Sequence, residues 1–167
     1  MRFLTAFTAL ALSSCAGYHL DGTKPAALAH VHSIAVPMFK NDTQHPRANA
    51  IATSATTNAL VQDGTYRLAS QDTADAILEG TLHKIKYLQI RSELIDTLRP
   101  KELENEITIS WTLRDARNPT HVLMTGNNTG TSRFFVDSNL QTSRNNALPD
   151  ATDRASQGII SRLANGF

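Results

Sequence analysis

The most distinctive chemistry in this sequence belongs to its single cysteine, Cys15. A thiolate is a good nucleophile and forms a stable thioether, so its surroundings decide whether it is a candidate for covalent modification. Arg2 is followed by the uncharged apolar run from Phe3 to Leu12, and Ser13 and Ser14 then lead directly to the cysteine. A run this short falls below the roughly 20 apolar residues that span a bilayer as a helix, but it suits the core of a secretion signal. Leu12-Ser13-Ser14-Cys15 fits the lipobox of bacterial lipoprotein signals, where small residues admit the peptidase and the thiol accepts a diacylglyceryl group. The expectation is that residues 1–14 are removed and that Cys15 starts the mature chain, carrying diacylglycerol and an N-acyl lipid. Each buried methylene contributes about 0.8 kcal/mol, and more than one acyl chain makes such an anchor stable.

Elsewhere the candidate chemistry is sparser. Hydrolysis by a nucleophile, base and orienter leaves no local signature: no glycine frames a serine and no histidine has a partner at helical spacing. His30 and His32 are two apart, but neither cysteines nor carboxylates accompany them at ligand spacing, which favours solvated or capping histidines over a metal site. Gly126 and Gly130 lack the Gly-Lys-Ser/Thr finish of a phosphate loop, and their spacing fits close strand packing or a bulge. Asn41-Asp42-Thr43 and Asn127-Asn128-Thr129 match glycosylation acceptors formally and read as turn and strand residues. One cluster can bind: Lys84, Lys86, Arg91, Arg99 and Lys101 gather where ammonium and guanidinium groups would meet phosphates. Glu93, Asp96, Glu102 and Glu104 lie among them and offer the competing reading, an ordinary solvated surface.

Removing residues 1–14 takes away Arg2 and no acid, leaving 15 residues of each sign. A chain so balanced is not an electrostatic nucleic-acid binder. With one cysteine it forms no internal disulfide, so the 153 remaining residues must be held by one apolar core.

The elements that would position these groups follow from periodicity. Residues 15–32, with Gly17, Gly22 and Pro25, read as a tether whose Tyr18 and Leu20 dock on the domain. Residues 33–39 form a short buried strand stopped by Pro37 and a polar loop at 40–43. From Pro46 to Gln62, Ala48, Ile51, Ala52, Ala55, Ala59 and Leu60 make one helical face, with Gly64 as the C-terminal cap. A brief strand follows at 65–69. Residues 77–90 form a long strand whose apolar parity changes between Leu82 and Ile85, which requires a bulge near Lys84. Residues 91–104 read as an exposed loop. Ile107, Ile109, Trp111 and Leu113 alternate with polar residues as in a half-buried antiparallel strand, and residues 115–119 turn it into a hairpin partner running to Thr131 and on to Phe134–Val136. After a polar stretch, Ala151, Ala155, Ile159 and Leu163 mark a second helix ended by Gly166; Pro149 either opens it, the favoured reading, or kinks one that begins near Ser143. The implied fold is α+β: a two-layer sandwich in which a mixed, mostly antiparallel sheet of four to five strands carries two helices on one face.

Cys15-Ala16-Gly17-Tyr18-His19-Leu20 after the lipobox, and Ser33-Ile34-Ala35-Val36-Pro37-Met38-Phe39-Lys40-Asn41-Asp42-Thr43, resemble the lipopolysaccharide-assembly lipoprotein family LptE. So do Asp63-Gly64-Thr65-Tyr66-Arg67-Leu68 and Ala74-Asp75-Ala76-Ile77-Leu78-Glu79-Gly80-Thr81. The resemblance spans nearly all of residues 15–167. It implies a non-enzymatic lipoprotein anchored to the inner leaflet of the outer membrane, with residues 33–167 as one α/β domain. Its implied partner is a lipopolysaccharide-export β-barrel, LptD-like, which it plugs and helps to fold, with lipopolysaccharide itself as a possible ligand. Lipoproteins retained at the inner membrane commonly carry aspartate after the lipidated cysteine; Ala16 stands there, which is compatible with the outer membrane. Two other readings remain: a binding module for a secretion channel or cell-wall partner, and a periplasmic hydrolase, which would need a cleft with perturbed titratable groups.

Overall fold

The computed structural model describes residues 24–92, 100–136 and 138–166. The signal segment, Cys15, Tyr18, Leu20 and Arg99 lie outside the described residues. In chain order the elements are β1 (Ser33–Ala35), β2 (Lys40–Asn41), α1 (Ala48–Asp63), β3 (Arg67–Leu68), β4 (Ala76–Ser92), β5 (Pro100–Asp115), β6 (Val122–Phe135) and α2 (Leu140–Asn165). They form one mixed sheet in the order β3-β1-β4-β5-β6, with β2 also paired to β4. β1 and β2 run parallel to β4, while β4, β5 and β6 make an antiparallel meander. The sheet has six strands rather than the four to five expected. The extra one is β2: Lys40 and Asn41, read from sequence as a polar stop, pair beside Thr81 and Leu82. Pro37 breaks the apolar run between β1 and β2, and Phe39 folds inward against Gly80, where an added Cβ would overlap its ring.

The β4 register shifts between Leu82 and Lys84, as the parity change requires. Leu78, Gly80 and Leu82 before the bulge then share one face with Ile85 and Tyr87 after it, opposite Leu113, Trp111, Ile109, Ile107 and Asn105 of β5. That face carries the core, which includes Leu78, Leu82, Ile107, Ile109, Trp111 and Leu113 from the sheet and Leu148, Ala151, Ala155, Ile159 and Leu163 from α2. Residues 100–104 are not loop. They continue β5, opposite residues 88–92 of β4 and Arg133–Phe135 of β6. The charges that suggested a loop are accommodated because Glu102 and Glu104 point away from the helices and pair across strands, while Leu103 between them is buried.

α1 follows the expected apolar face, with Ala48, Ala52, Ala55, Thr56, Ala59 and Leu60 buried. Gly64 ends it in the left-handed region, φ 74°, donating its N–H to the Leu60 carbonyl. α2 begins nine residues before Pro149 rather than at it, because Asn139 is the true N-cap and its side chain accepts from the Gln141 and Thr142 N–H groups. Pro149 is therefore inside the helix, where it supplies no N–H to the preceding turn. Ala147, two residues before it, is tied to the sheet through its carbonyl, which receives Asn105 Nδ2 at 3.1 Å and Ser132 Oγ at 3.0 Å. Gly130 lets α2 approach this closely: a Cβ there would fall on the backbone of Ala151 and Ala155. The two helices meet through small side chains, with Thr56 Oγ1 and Ser156 Oγ 3.0 Å apart in the interior.

Packing reaches back before β1. A 3-10 turn at Ala26–Leu28 places Leu28 in the core, and Val31 joins it. Lys24 Nζ lies 4.7 Å from the Tyr66 ring centroid and donates to the Val31 carbonyl.

Candidate functional site

The helix-free face of the sheet divides in two. Around its base it presents hydroxyls and amides: Thr81, Ser110, Thr112, Thr125 and Asn127 border a shallow depression of about 380 Å³ closed on one side by Pro37, Met38 and Lys40. Thr108 and Thr129 stand 3.3 Å apart there, and Thr112 and Thr125 3.4 Å. Toward the far end the same face becomes a ladder of opposite charges. Lys86 Nζ meets Glu106 Oε1 at 2.7 Å, Arg133 Nε meets Glu104 Oε2 at 2.9 Å and Arg91 Nε meets Glu102 Oε2 at 3.8 Å.

This geometry separates the sequence-predicted cations. Lys86 and Arg91 are committed to carboxylates on the neighbouring strand. Lys101 is exposed and shares the strand parity of Leu103, so it projects from the opposite side of the sheet to Arg91. Lys84 is exposed at the bulge, and Arg99 lies outside the described residues. By register Lys84, Lys86 and Arg91 share the helix-free face, opposite Thr108, Glu106 and Glu102, while Lys101 turns to the other, and cross-strand pairing engages Lys86 and Arg91.

A second cleft, of about 490 Å³, opens where β2 stops and β4 continues alone past its bulge. Asp42, Thr43, His45 and Pro46 form one wall, His83, Lys84, Ile85 and Tyr87 the floor, and Gln141 and Arg144 of α2 the other wall. His45 Nε2 and Gln141 Nε2 both reach Asn145 Oδ1, at 3.0 and 3.2 Å, so the two walls are tied together. His83 Nδ1 is 3.3 Å from Asp42 Oδ2. The Arg144 guanidinium lies over the Tyr87 ring, 4.5 Å from its centroid. Burial pushes the Tyr87 hydroxyl pKa up, and the Arg144 charge works against that. Neither Arg144 nor His45 was singled out from sequence. Arg144 fell in a stretch read as polar turn, and only the placement of the Asn139 cap, which puts Arg144 and Leu148 on successive turns of one helix, would have exposed it.

Other polar groups serve the fold. Asp75 Oδ2 accepts from the His32 and Ser33 N–H groups and from Ser33 Oγ, clamping β1 onto the start of β4, and these bonds hold its carboxyl below the usual carboxylate range. Tyr66 donates to the Leu163 carbonyl at 2.8 Å, and burial, with Asp63 nearby, pushes its hydroxyl up to about 12. Trp111 is core, its Nε1 bonded to Asn128 Oδ1. Phe134 stacks edge-on against Tyr87, whereas Phe135 is 68% exposed on the helix-free side. Among the described residues no group of three His, Cys, Asp or Glu side chains is placed to hold a metal ion. His30 and His32 are exposed, and no described helix is long and apolar enough to cross a membrane.

A two-layer domain with a long antiparallel meander, two helices on one face and a parallel β1–β4 step recurs in solved structures. A hypothetical protein from Chlamydia trachomatis matches at TM-score 0.55 and 9% identity, over 79% of this chain and 95% of that one. A putative lipoprotein from Caulobacter crescentus matches at 0.51 and 14%, over 76% and 88%. A minor lipoprotein from Acinetobacter baumannii matches at 0.51 and 10%, over 80% and 93%. At such identities these likenesses establish the fold alone. Comparison with curated proteins gave no match. The family model LptE, lipopolysaccharide-assembly, matches residues 31–163, essentially the whole packed domain. The chain belongs to the LptE family, a family of non-enzymatic lipoproteins of lipopolysaccharide assembly.

Proposed function

We propose that the protein is anchored through lipids on Cys15 to the periplasmic side of the outer membrane, where its domain assists the assembly of a lipopolysaccharide-export β-barrel and plugs it. The observation that carries this reading is the family match across residues 31–163, from the approach to β1 through most of α2. Two features of the molecule support it. The apolar run and lipobox before Cys15 supply the chemistry of an anchor. Around its base the helix-free face of the sheet is polar, rich in threonine, serine and asparagine. Such a surface suits the hydrated lumen of a barrel better than the apolar interior of an obligate dimer.

The test is affinity purification from gently solubilised outer membranes. Recovery of a large β-barrel together with lipopolysaccharide is the expected result. Recovery of a secretion channel or of cell-wall material in its place would reject the reading. Replacing Cys15 with Ser is expected to abolish incorporation of labelled lipid; unchanged labelling would remove the anchor from the account.

A further inference from the structure

β6 ends the sheet: it pairs with β5 on one side and, among the described residues, with no strand on the other. In an antiparallel pair every second residue turns its N–H and C=O toward the neighbour, and the residues between turn theirs away. The Val136 N–H bonds the Lys101 carbonyl, and the β5–β6 register runs without a shift from Glu102–Phe135 to Leu113–Met124. By alternation Phe134, Ser132, Gly130, Asn128 and Gly126 bond β5, while Thr125, Asn127, Thr129, Thr131, Arg133 and Phe135 aim their backbone groups outward. Arg162 confirms the phase, because its Nη1 reaches the outward Asn127 carbonyl at 3.4 Å. The usual guards of a sheet edge are missing. No proline, lysine or register shift lies between Thr125 and Phe135, and Thr125, Asn127, Thr129, Arg133 and Phe135 are exposed.

We infer that this edge receives an extended segment of a partner polypeptide, added to β6 as a further strand of the sheet. A second copy of this chain does not fit there. α2 lies along β6: an added Cβ at Gly130 would meet the backbone of Ala151 and Ala155, one at Gly158 would meet Asn128, and one at Gly126 would approach Arg162. Two β6 strands paired about 4.8 Å apart would bring two such helices to about that separation, against the roughly 8–10 Å that packed helices need. Nor does the chain's own N-terminus serve. With Cys15 as the first mature residue, residues 15–23 are too few to reach from Lys24 and also line 125–135. The surroundings define the partner's side chains. On the helix-free side they lie beside Thr125, Asn127, Thr129 and Thr131. On the other they enter a groove of about 380 Å³ between β6 and α2, bordered by Ser132, Ser143, Asn146 and Asp150 together with Phe134 and Ala147. Short polar side chains suit both sides, and an extended loop of a barrel's own chain, bathed in its hydrated lumen, offers them. Naming the barrel as the partner rests on the proposed function; the open edge does not.

The experiment compares the full-length lipoprotein purified with the barrel from gently solubilised outer membranes and the same lipoprotein overproduced in excess of it, in one detergent. Amide hydrogen exchange is read residue by residue along 124–136. The outward amides of Asn127, Thr129 and Thr131 are expected to exchange at least about tenfold more slowly in the complex, while Asn128 and Gly130, already bonded to β5, change little. Two variants test the same bonds through recovery of the barrel. Thr129→Pro deletes an outward N–H and spares the β5 ladder, so it should recover at least about fivefold less barrel; Thr129→Ala keeps that N–H and should lose no more than about twofold. Should Thr129→Pro fail to fold, the exchange of the wild-type protein decides alone. Outward amides that exchange equally in both samples, or equal losses from the two variants, would overturn strand addition and leave the barrel reading standing. Protection already present without the barrel would assign the edge to the chain's own N-terminus, or to a second copy where it rises with concentration, and overturns the inference as well. If no barrel is recovered with the wild type, the proposed function and the named partner fall together.

Discussion

Beneath α2 the β4–β5–β6 meander buries Leu78, Leu82, Ile107, Ile109, Trp111 and Leu113, and its other face needs few charges. Farther along the same strands Leu88 and Ile90 stay 45% and 44% exposed, and the helix-free face is held by Lys86–Glu106, Arg91–Glu102 and Arg133–Glu104. Backbone pairing continues through both halves, so the ladder alone does not distinguish them. The difference lies in what covers the strands. The base is stabilised by removal of apolar surface from water, at about 25 cal/mol per Å². The far half relies on exposed ion pairs worth about 0–1 kcal/mol each. An element held in this second way is cheap to rearrange, which suits a region that meets a partner, while the base acts as its rigid mount.

This contrast can be broken most severely at Trp111. Its replacement by alanine is expected to cost about 3–5 kcal/mol, read as a lowered urea midpoint, because it empties the centre of the base and orphans Asn128. Gly130→Ala should cost about 3 kcal/mol, since the new Cβ meets helix backbone rather than a side chain able to swing away; thermal unfolding unchanged from wild type would refute the close approach of α2. Asn105→Ala should cost about 2 kcal/mol by removing a partner from the Ala147 carbonyl beside Pro149, and increased amide exchange around residues 145–151 would locate the damage.

Asp75 gives a smaller, pH-dependent effect. Its carboxyl is held below the usual range by the His32 and Ser33 donors, so its stabilising contribution is present above the ordinary aspartate pKa. That contribution is lost as pH falls through the lowered value in the folded protein. Asp75→Asn should cost about 1 kcal/mol at neutral pH, since the site is open to solvent, and should flatten the acid limb of a stability profile. Tyr66 acts at the opposite end: with its pKa raised to about 12, stability is full below about 10 and declines as pH rises toward 12. The smallest effect is expected in the far half, where Lys86→Gln or Arg133→Gln should change stability by less than about 1 kcal/mol and lose even that at high salt. A loss comparable to that of Trp111→Ala would abolish the distinction between the halves.

Much of this architecture was legible in local pattern. The alternation from Ile107 to Leu113 gave the central strand, and the parity change between Leu82 and Ile85 located the bulge. Gly64 and Gly166 marked the helix ends, both with positive φ. The start of the second helix was misplaced because Pro149 is a strong local signal for a helix start, while Asn139, the actual N-cap, lies in a stretch that reads as polar turn. The start of β5 was missed because charges at 101–104 look like loop until their partners on β4 and β6 are known.

The sequence by itself determined the covalent and periodic facts: one thiol behind an apolar run, the 3.6-residue and two-residue apolar repeats, and the family pattern over residues 31–163. Tertiary structure alone decided which charges are paired and which stand free. Lys86 and Arg91 came to face carboxylates on the neighbouring strand and Lys101 turned to the other side, while Arg144, from a helix dozens of residues away, came to rest on Tyr87. The reason is physical: periodicity is a property of neighbours along the chain, whereas a charge's partner is set by strand register and helix placement, which exist only after the core has closed.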